Sequence, residues 1–190
     1  MFKALVKKTR SYRTFKSGVE VSHDTLLDIV DTARQTSAAM NAQPVKYRLV
    51  ESAEEKEALL AITRWAGRLS QKLPPKDHEP SAYIVVCLDT AVSPEKPIFL
   101  YDVGICIQTI MLAAAEKGLG SCIIGSAKES TISEVLSLPE NIVPKLIVAI
   151  GEPDEKVVLL DAESGSEVGY YRDENNVHYV PKRRLEDVII

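Results

Sequence analysis

The sequence holds only three cysteines and three histidines in 190 residues, too few and too scattered for metal or disulfide chemistry. Cys87, Cys106 and Cys122 show no Cys-x-x-Cys or metal-ligand spacing, and each lies in an apolar run. They are predicted to be buried structural thiols in a reducing cytoplasm. His23, His78 and His178 lie far apart in polar context and are predicted to be exposed loop residues, with no metal among them. A basic surplus is also missing. With 27 Asp+Glu against 23 Lys+Arg the net charge is −4, which argues against a general nucleic-acid binder. Long apolar runs are absent: the charge-free stretch from Val103 to Ala115 falls short of the roughly 18 residues of a membrane span. "MFKALVKK" is interrupted by lysine too soon for a signal peptide. No Walker A sequence occurs. The Gly-x-Gly of "KGLGSCIIG" follows a helical pattern and precedes a strand, the reverse of a Rossmann fingerprint. The serines of "ESGSEVG" sit in a polar tail without the strand that a nucleophile elbow requires.

What is present suits one domain, residues 1–190, long enough to bury a sizeable core. "SHDTLLDIVDTARQ" places Leu26, Leu27, Val30 and Ala33 at helical spacing behind a Ser22 N-cap. Pro44 takes Gln43 out of helical geometry, and "YRLVE" reads as a strand. Ser52 to Glu55 form a capping box for a helix to about Trp65. "LPPKDHEP" is a polar loop, a connection or a lid. "AYIVVCLD" is a buried strand. Ile98 to Lys117 form a helix apolar nearly all round, ended by Gly118. "SCIIG" is a strand, Ser130–Leu138 a short helix and "KLIVAIGEP" the last core strand. Short β-like pieces, "VVLL" and "VHYV", follow. The tail ends in Val188, Ile189 and Ile190 with Leu185 before them, apolar enough to be expected to pack on the same subunit or on a second one. Few strands among large helices predict an α+β fold, a small central sheet flanked by helices.

Positive charge gathers at the two ends, in "KKTRSYR" and "PKRR", and chain termini often meet in space. Arg10, Ser11 and Arg13 offer guanidinium forks and a hydroxyl. "NAQP" offers amides held by proline, "IIG" offers backbone N–H groups at a strand end, and Lys182, Arg183 and Arg184 offer charge. A phosphate takes forks and hydroxyls. A flat heteroaromatic takes amides at its edge and apolar surface on its faces. Together these parts suit a phosphorylated ring cofactor.

In order and spacing, "TRSYRTF", "SAAMNAQPVKY", "GLGSCIIG", "AIGEP" and "VPKRRLEDVI" resemble the FMN-dependent nitroreductase family, over nearly the whole chain. The resemblance implies that family's α+β fold, an intertwined homodimer with FMN at the subunit interface. It assigns Arg10 and Ser11 to the FMN phosphate and Arg13 to the pyrimidine edge of the flavin. Ala38, Ala39, Asn41 and Gln43 would come from the partner subunit. Ile124 and Gly125 would place N–H groups near flavin N5, and Lys182 and Arg184 would complete the phosphate site beside Arg183. Thr9, Ala38, Ala39 and Val45 depart from the common pattern, where arginine, serines and an aromatic are usual. Trp65 is a pocket wall or a core aromatic. The implied activity passes hydride from NADH or NADPH through FMN to a small electron-poor acceptor, a nitroaromatic or quinone, with no protein acid or base as catalytic residue. Three alternatives stand beside it: a flavin carrier or sensor without turnover, a family member doing other flavin chemistry such as reductive dehalogenation, and a cofactor-free interaction domain. The expected setting is cytoplasmic, with no nucleic acid and no membrane.

Overall fold

Strand β2 (Ala82–Asp89) explains the architecture, because every one of its residues is buried. Alternate side chains of a strand point to opposite faces. Ala82, Ile84, Val86 and Leu88 enter one apolar cluster, while Tyr83, Val85 and Cys87 enter another. The sheet is therefore covered on both sides, and the run of apolar residues follows from that. The computed structural model describes residues 1–190.

Three further strands complete an antiparallel sheet: β1 (Val45–Val50), β3 (Gly120–Ile124) and β4 (Ile142–Gly151), in the order β1-β2-β4-β3. One face carries α2 (His23–Arg34) and α4 (Phe99–Glu116); the other carries α3 (Ala53–Ile62) and α5 (Glu129–Val135). A short α1 (Phe2–Lys8) precedes them. The tail folds back as a second sheet. In it β5 (Val157–Asp161) runs parallel to β7 (His178–Lys182), and β7 is antiparallel to β6 (Tyr171–Arg172).

Both serine N-caps form, but only half of the capping box does, since the Glu55 carboxylate accepts from the Ser52 hydroxyl and pairs with Arg48. Ser22 Oγ accepts the Thr25 N–H at 3.2 Å and Ser52 Oγ accepts the Glu55 N–H at 3.3 Å. Gly118 ends α4 at φ +80°, a conformation that L side chains resist.

Three expectations need correction. The buried stripe of α2 is Leu26, Ile29 and Ala33, whereas Leu27 is exposed, one residue off the face that a 3.6-residue period selects. α3 stops at Ile62, not Trp65. Thr63 is extended, its hydroxyl donating to the Leu60 carbonyl at 3.0 Å and accepting the Trp65 indole N–H at 3.0 Å. α4 is not covered all round, because the sheet and α2 reach only one side. Leu100, Tyr101 and Ile105 remain exposed, Tyr101 at 70%. The tail residues Leu185, Val188, Ile189 and Ile190 are exposed within the single chain, so packing of the tail would fall to a second subunit. By length and composition α4 could cross a membrane, but more than half of it is buried in the core.

The three thiols are buried as predicted. Burial raises Cys87 to about 12 and Cys122 to about 11, so neither is poised as a thiolate nucleophile.

Candidate functional site

The stretch "TRSYRTF" does not form a free basic turn. It lies along the end of the main sheet. The Tyr12 N–H donates to the Ser121 carbonyl at 2.9 Å, Phe15 N–H to His78 carbonyl at 3.0 Å, and Lys16 N–H to Glu152 carbonyl at 2.8 Å. Phe15 is fully buried. Gly120 is glycine for the same reason: a Cβ there would meet the Tyr12 ring at 2.7 Å. The glycine pair of "GLGSCIIG" thus serves a helix stop and the seating of this segment.

Seated so, the segment faces strand β7 across a cleft of about 380 Å³. Thr9, Arg10, Ser11 and Arg13 line one side, with His178, Val180 and Lys182 opposite. Gln108 and Met111 of α4, Ile123 and Tyr170 complete the walls. The two ends of the chain do meet. Three cations line the cleft and no carboxylate does.

Each cation is held differently. An Arg10 Nη donates to the Val6 carbonyl at 2.8 Å, while its Nε is buried with no acceptor. Burial lowers the Arg10 pKa, with Tyr12 opposing. Arg13 Nη1 donates to the Ser11 carbonyl at 3.1 Å and meets His178 Nε2 at 3.2 Å. Its guanidinium lies 4.9 Å from the centre of the Tyr170 ring, a cation–π contact. The Arg13 backbone N–H donates to Glu155, which also accepts the Thr14 N–H at 3.2 Å and pairs with Arg172. The Glu155 and Arg172 side chains are 3% and 7% exposed, so this is a buried ion pair. Lys182 is exposed on the rim.

His178 corrects the expectation of an exposed loop histidine. It is 1% exposed, because the alternation of "VHYV" turns His178 inward. Burial first, then the charges of Arg13 and Arg172, lower its pKa to about 4. His23 is exposed but opens α2 rather than a loop, paired with Glu51, and His78 is a half-buried loop residue beside Asp154.

The other predicted residues fall elsewhere. Ala38 and Gln43 line a separate cleft of about 280 Å³ with Tyr47, Asp102 and Cys106. Buried Asp102 accepts the Ala39 N–H at 3.0 and 3.2 Å and anchors this turn. Met40, Asn41 and Gln43 carry φ values of 53°, 51° and 52° there, a left-handed strain that tends to cluster at functional sites. Gln43 donates to Asn41 Oδ1 at 3.1 Å. No residue lines both clefts, and within one chain the two sets are not brought together. Ile124 is buried in the core and Gly125 is exposed just past the strand end. Ile123, one residue earlier, is the one that faces the cleft. Arg183 and Arg184 are exposed and do not line the cleft. Trp65 is partly buried against the second core cluster and lines a different cleft, beside Leu73 and Pro74. Gln108, Met111, Tyr170, His178 and Val180 were not singled out for this site from the sequence, and Ile123 only as the first residue of "IIG". Only the strand alternation of "VHYV" carried a usable signal.

Known proteins share this architecture. A nitroreductase family protein of Streptococcus pneumoniae superposes with a TM-score of 0.68 at 20% identity, over 88% of this chain and 96% of that one, which speaks for the fold. An FMN-dependent nitroreductase of Clostridium difficile superposes with a TM-score of 0.63 at 25% identity, over 80% and 87%. A protein of Archaeoglobus fulgidus named "Putative NADH dehydrogenase/NAD(P)H nitroreductase" is 30% identical over 80% of this chain and 86% of its own. The sequence pattern of the Nitroreductase family matches residues 6–152. With the antiparallel sheet, its two helical layers and the cleft between the chain ends, this match shows that the chain belongs to the nitroreductase family.

Proposed function

We propose that residues 1–190 form one FMN-binding domain that acts as an NAD(P)H-dependent oxidoreductase, reducing a small electron-poor acceptor such as a nitroaromatic or a quinone. The observation that carries this reading is the cleft where Arg10, Ser11 and Lys182 converge without a carboxylate. The buried, acceptor-less Nε of Arg10 fits a ligand phosphate, which accepts charge-assisted hydrogen bonds. Met111, Ile123, Val180 and Tyr170 give apolar and aromatic surface suited to a flat ring. The names of the relatives, with NAD(P)H and FMN among them, point the same way.

When bound, FMN supplies the hydride acceptance and donation. The residues of the chain bind and orient. Arg10, Ser11 and Lys182 hold the phosphate end, with Arg184 and Arg183 as outer charges. Arg13 places a fixed positive charge beside the ring edge, where electrostatic preorganisation favours negative charge. Gly125 offers its backbone N–H just past the end of β3, whereas Ile124 is paired with Ile147 of β4. No acid or base is assigned, and the buried thiols suit a reducing cytoplasmic setting.

Ala38, Ala39, Asn41 and Gln43 join such a site only from a second copy. The exposed Leu100, Tyr101 and Ile105 of α4, Met40 and the apolar tail favour a homodimer. Sedimentation analysis is expected to give twice the chain mass; a monomer at micromolar concentration would reject the dimer and the shared site.

The purified protein is expected to be yellow and to release FMN, with rapid bleaching by NADH or NADPH in stopped flow. A colourless protein without FMN affinity would overturn the reading, and bound FMN that neither nicotinamide bleaches would indicate a carrier. In the same titration Arg10→Ala is expected to weaken FMN binding by about 10- to 150-fold, the value of a hydrogen bond to a charged group. Unchanged affinity would remove Arg10 from the phosphate site.

A further inference from the structure

We propose that His178, with Tyr170, is a positioning residue that aims the Arg13 side chain into the cleft. Both lie beyond residue 152, outside the segment matched by the family pattern.

The argument begins with hydrogen-bond chemistry. A guanidinium can only donate. At the 3.2 Å contact, His178 Nε2 must therefore accept from Arg13 Nη1, and the ring proton resides on Nδ1. That Nδ1 is buried and has no partner. The tautomer is fixed by Arg13 alone. Tyr170 supplies the other restraint: its ring lies 4.9 Å from the Arg13 guanidinium and 5.2 Å from the His178 ring. The Arg13 side chain is thus held by an acceptor and an aromatic face, while Glu155 holds its backbone.

Packing alone does not account for this residue. A buried ring N–H without an acceptor is unfavourable, and two arginines stand close by: Arg13, and Arg172 opposite His178 in the strand register. Leucine or phenylalanine would fill the space with neither cost. What histidine adds is an acceptor for Arg13 that carries no charge. A carboxylate there would neutralise Arg13 and place a negative group in a cleft that otherwise has none.

The inference rests on the reading of the cleft as the FMN site, and the test separates the two. FMN titrations followed by flavin fluorescence are made on flavin-stripped wild type, Arg13→Ala, His178→Leu, His178→Gln and Tyr170→Leu. Arg13→Ala is expected to lose about 10- to 150-fold in affinity, as for other hydrogen bonds to charged groups. His178→Leu is expected to lose at least about 10-fold, because Arg13 is no longer held. His178→Gln, whose side-chain carbonyl can accept from Arg13, is expected to recover to within about threefold of wild type, a rescue that a space-filling role would not give. Tyr170→Leu, at a half-buried position, is expected to lose about 2- to 30-fold with the cation–π contact and gives the answer should His178→Leu not fold. Wild-type protein without affinity for FMN would overturn the site itself, and wild-type affinity in Arg13→Ala would remove Arg13 from it and with it the positioning role. A weakened Arg13→Ala beside unaffected His178→Leu and Tyr170→Leu would overturn only the positioning role. Equal loss in His178→Gln and His178→Leu would overturn the acceptor role.

Discussion

Replacing Glu155 by alanine is expected to destabilise the protein by about 3–5 kcal/mol, the usual cost of breaking a buried ion pair from one side. Glu155 accepts from three donors: the backbone N–H groups of Arg13 and Thr14 and the Arg172 guanidinium. Its loss leaves Arg172 as a buried cation whose Nε already has no acceptor. It also frees two backbone donors in the segment that builds the cleft. The damage should therefore appear twice, as a lower midpoint in denaturant unfolding and as weaker ligand retention. Urea unfolding decides it: a loss under about 1 kcal/mol would mean that the pair behaves like a surface salt bridge. Replacing both Glu155 and Arg172 with leucine should cost less than Glu155→Ala does, since no buried charge is then left alone.

Acidification below neutrality is expected to destabilise the protein well before its carboxylates protonate. The ordinary histidine value is 6.5, and in the fold His178 lies at about 4. Below pH 6.5 the unfolded chain binds this proton and the folded chain does not. Stability is then complete above about pH 6.5 and falls as pH is lowered towards 4. A shift of this size corresponds to roughly 3 kcal/mol over that window. The causes are burial first, then the positive charges of Arg13 and Arg172. His178→Gln should flatten this part of the profile, and the difference between the two curves isolates His178 from His23 and His78. Asp89, lowered mainly by the hydrogen bond from Asn141, acts in a separate window below its ordinary 3.8. Unfolding measured from pH 7.5 to 4 tests the claim; a wild-type slope retained in His178→Gln would defeat it.

Much of the fold is legible along the chain because local patterns and global packing agree. The all-apolar "AYIVVCLD" is a strand covered on both faces. Ser22 and Ser52 cap the helices that they precede. Gly118 closes α4. Errors arise where a tertiary partner, not a local pattern, decides. Leu27 has the same hydrophobicity as Leu26 but points away from the sheet. Leu100, Tyr101 and Ile105 read like core residues of α4, yet no element of the chain lies over them.

The amino-acid order alone determined the α+β class, the element sequence, the buried thiols and the collection of Arg10, Ser11, Arg13 and Lys182 as anion-binding candidates. Only the tertiary structure decided which of them share a cleft. It placed residues 9–13 opposite 178–182, left Arg184 outside, and put Ala38 and Gln43 in a second cleft. It also brought His178 into the interior beside Arg13. The physical reason is sequence separation: periodicity and capping act over a few residues, whereas Arg13 and His178 are 165 apart and meet only because the tail folds back as a second sheet.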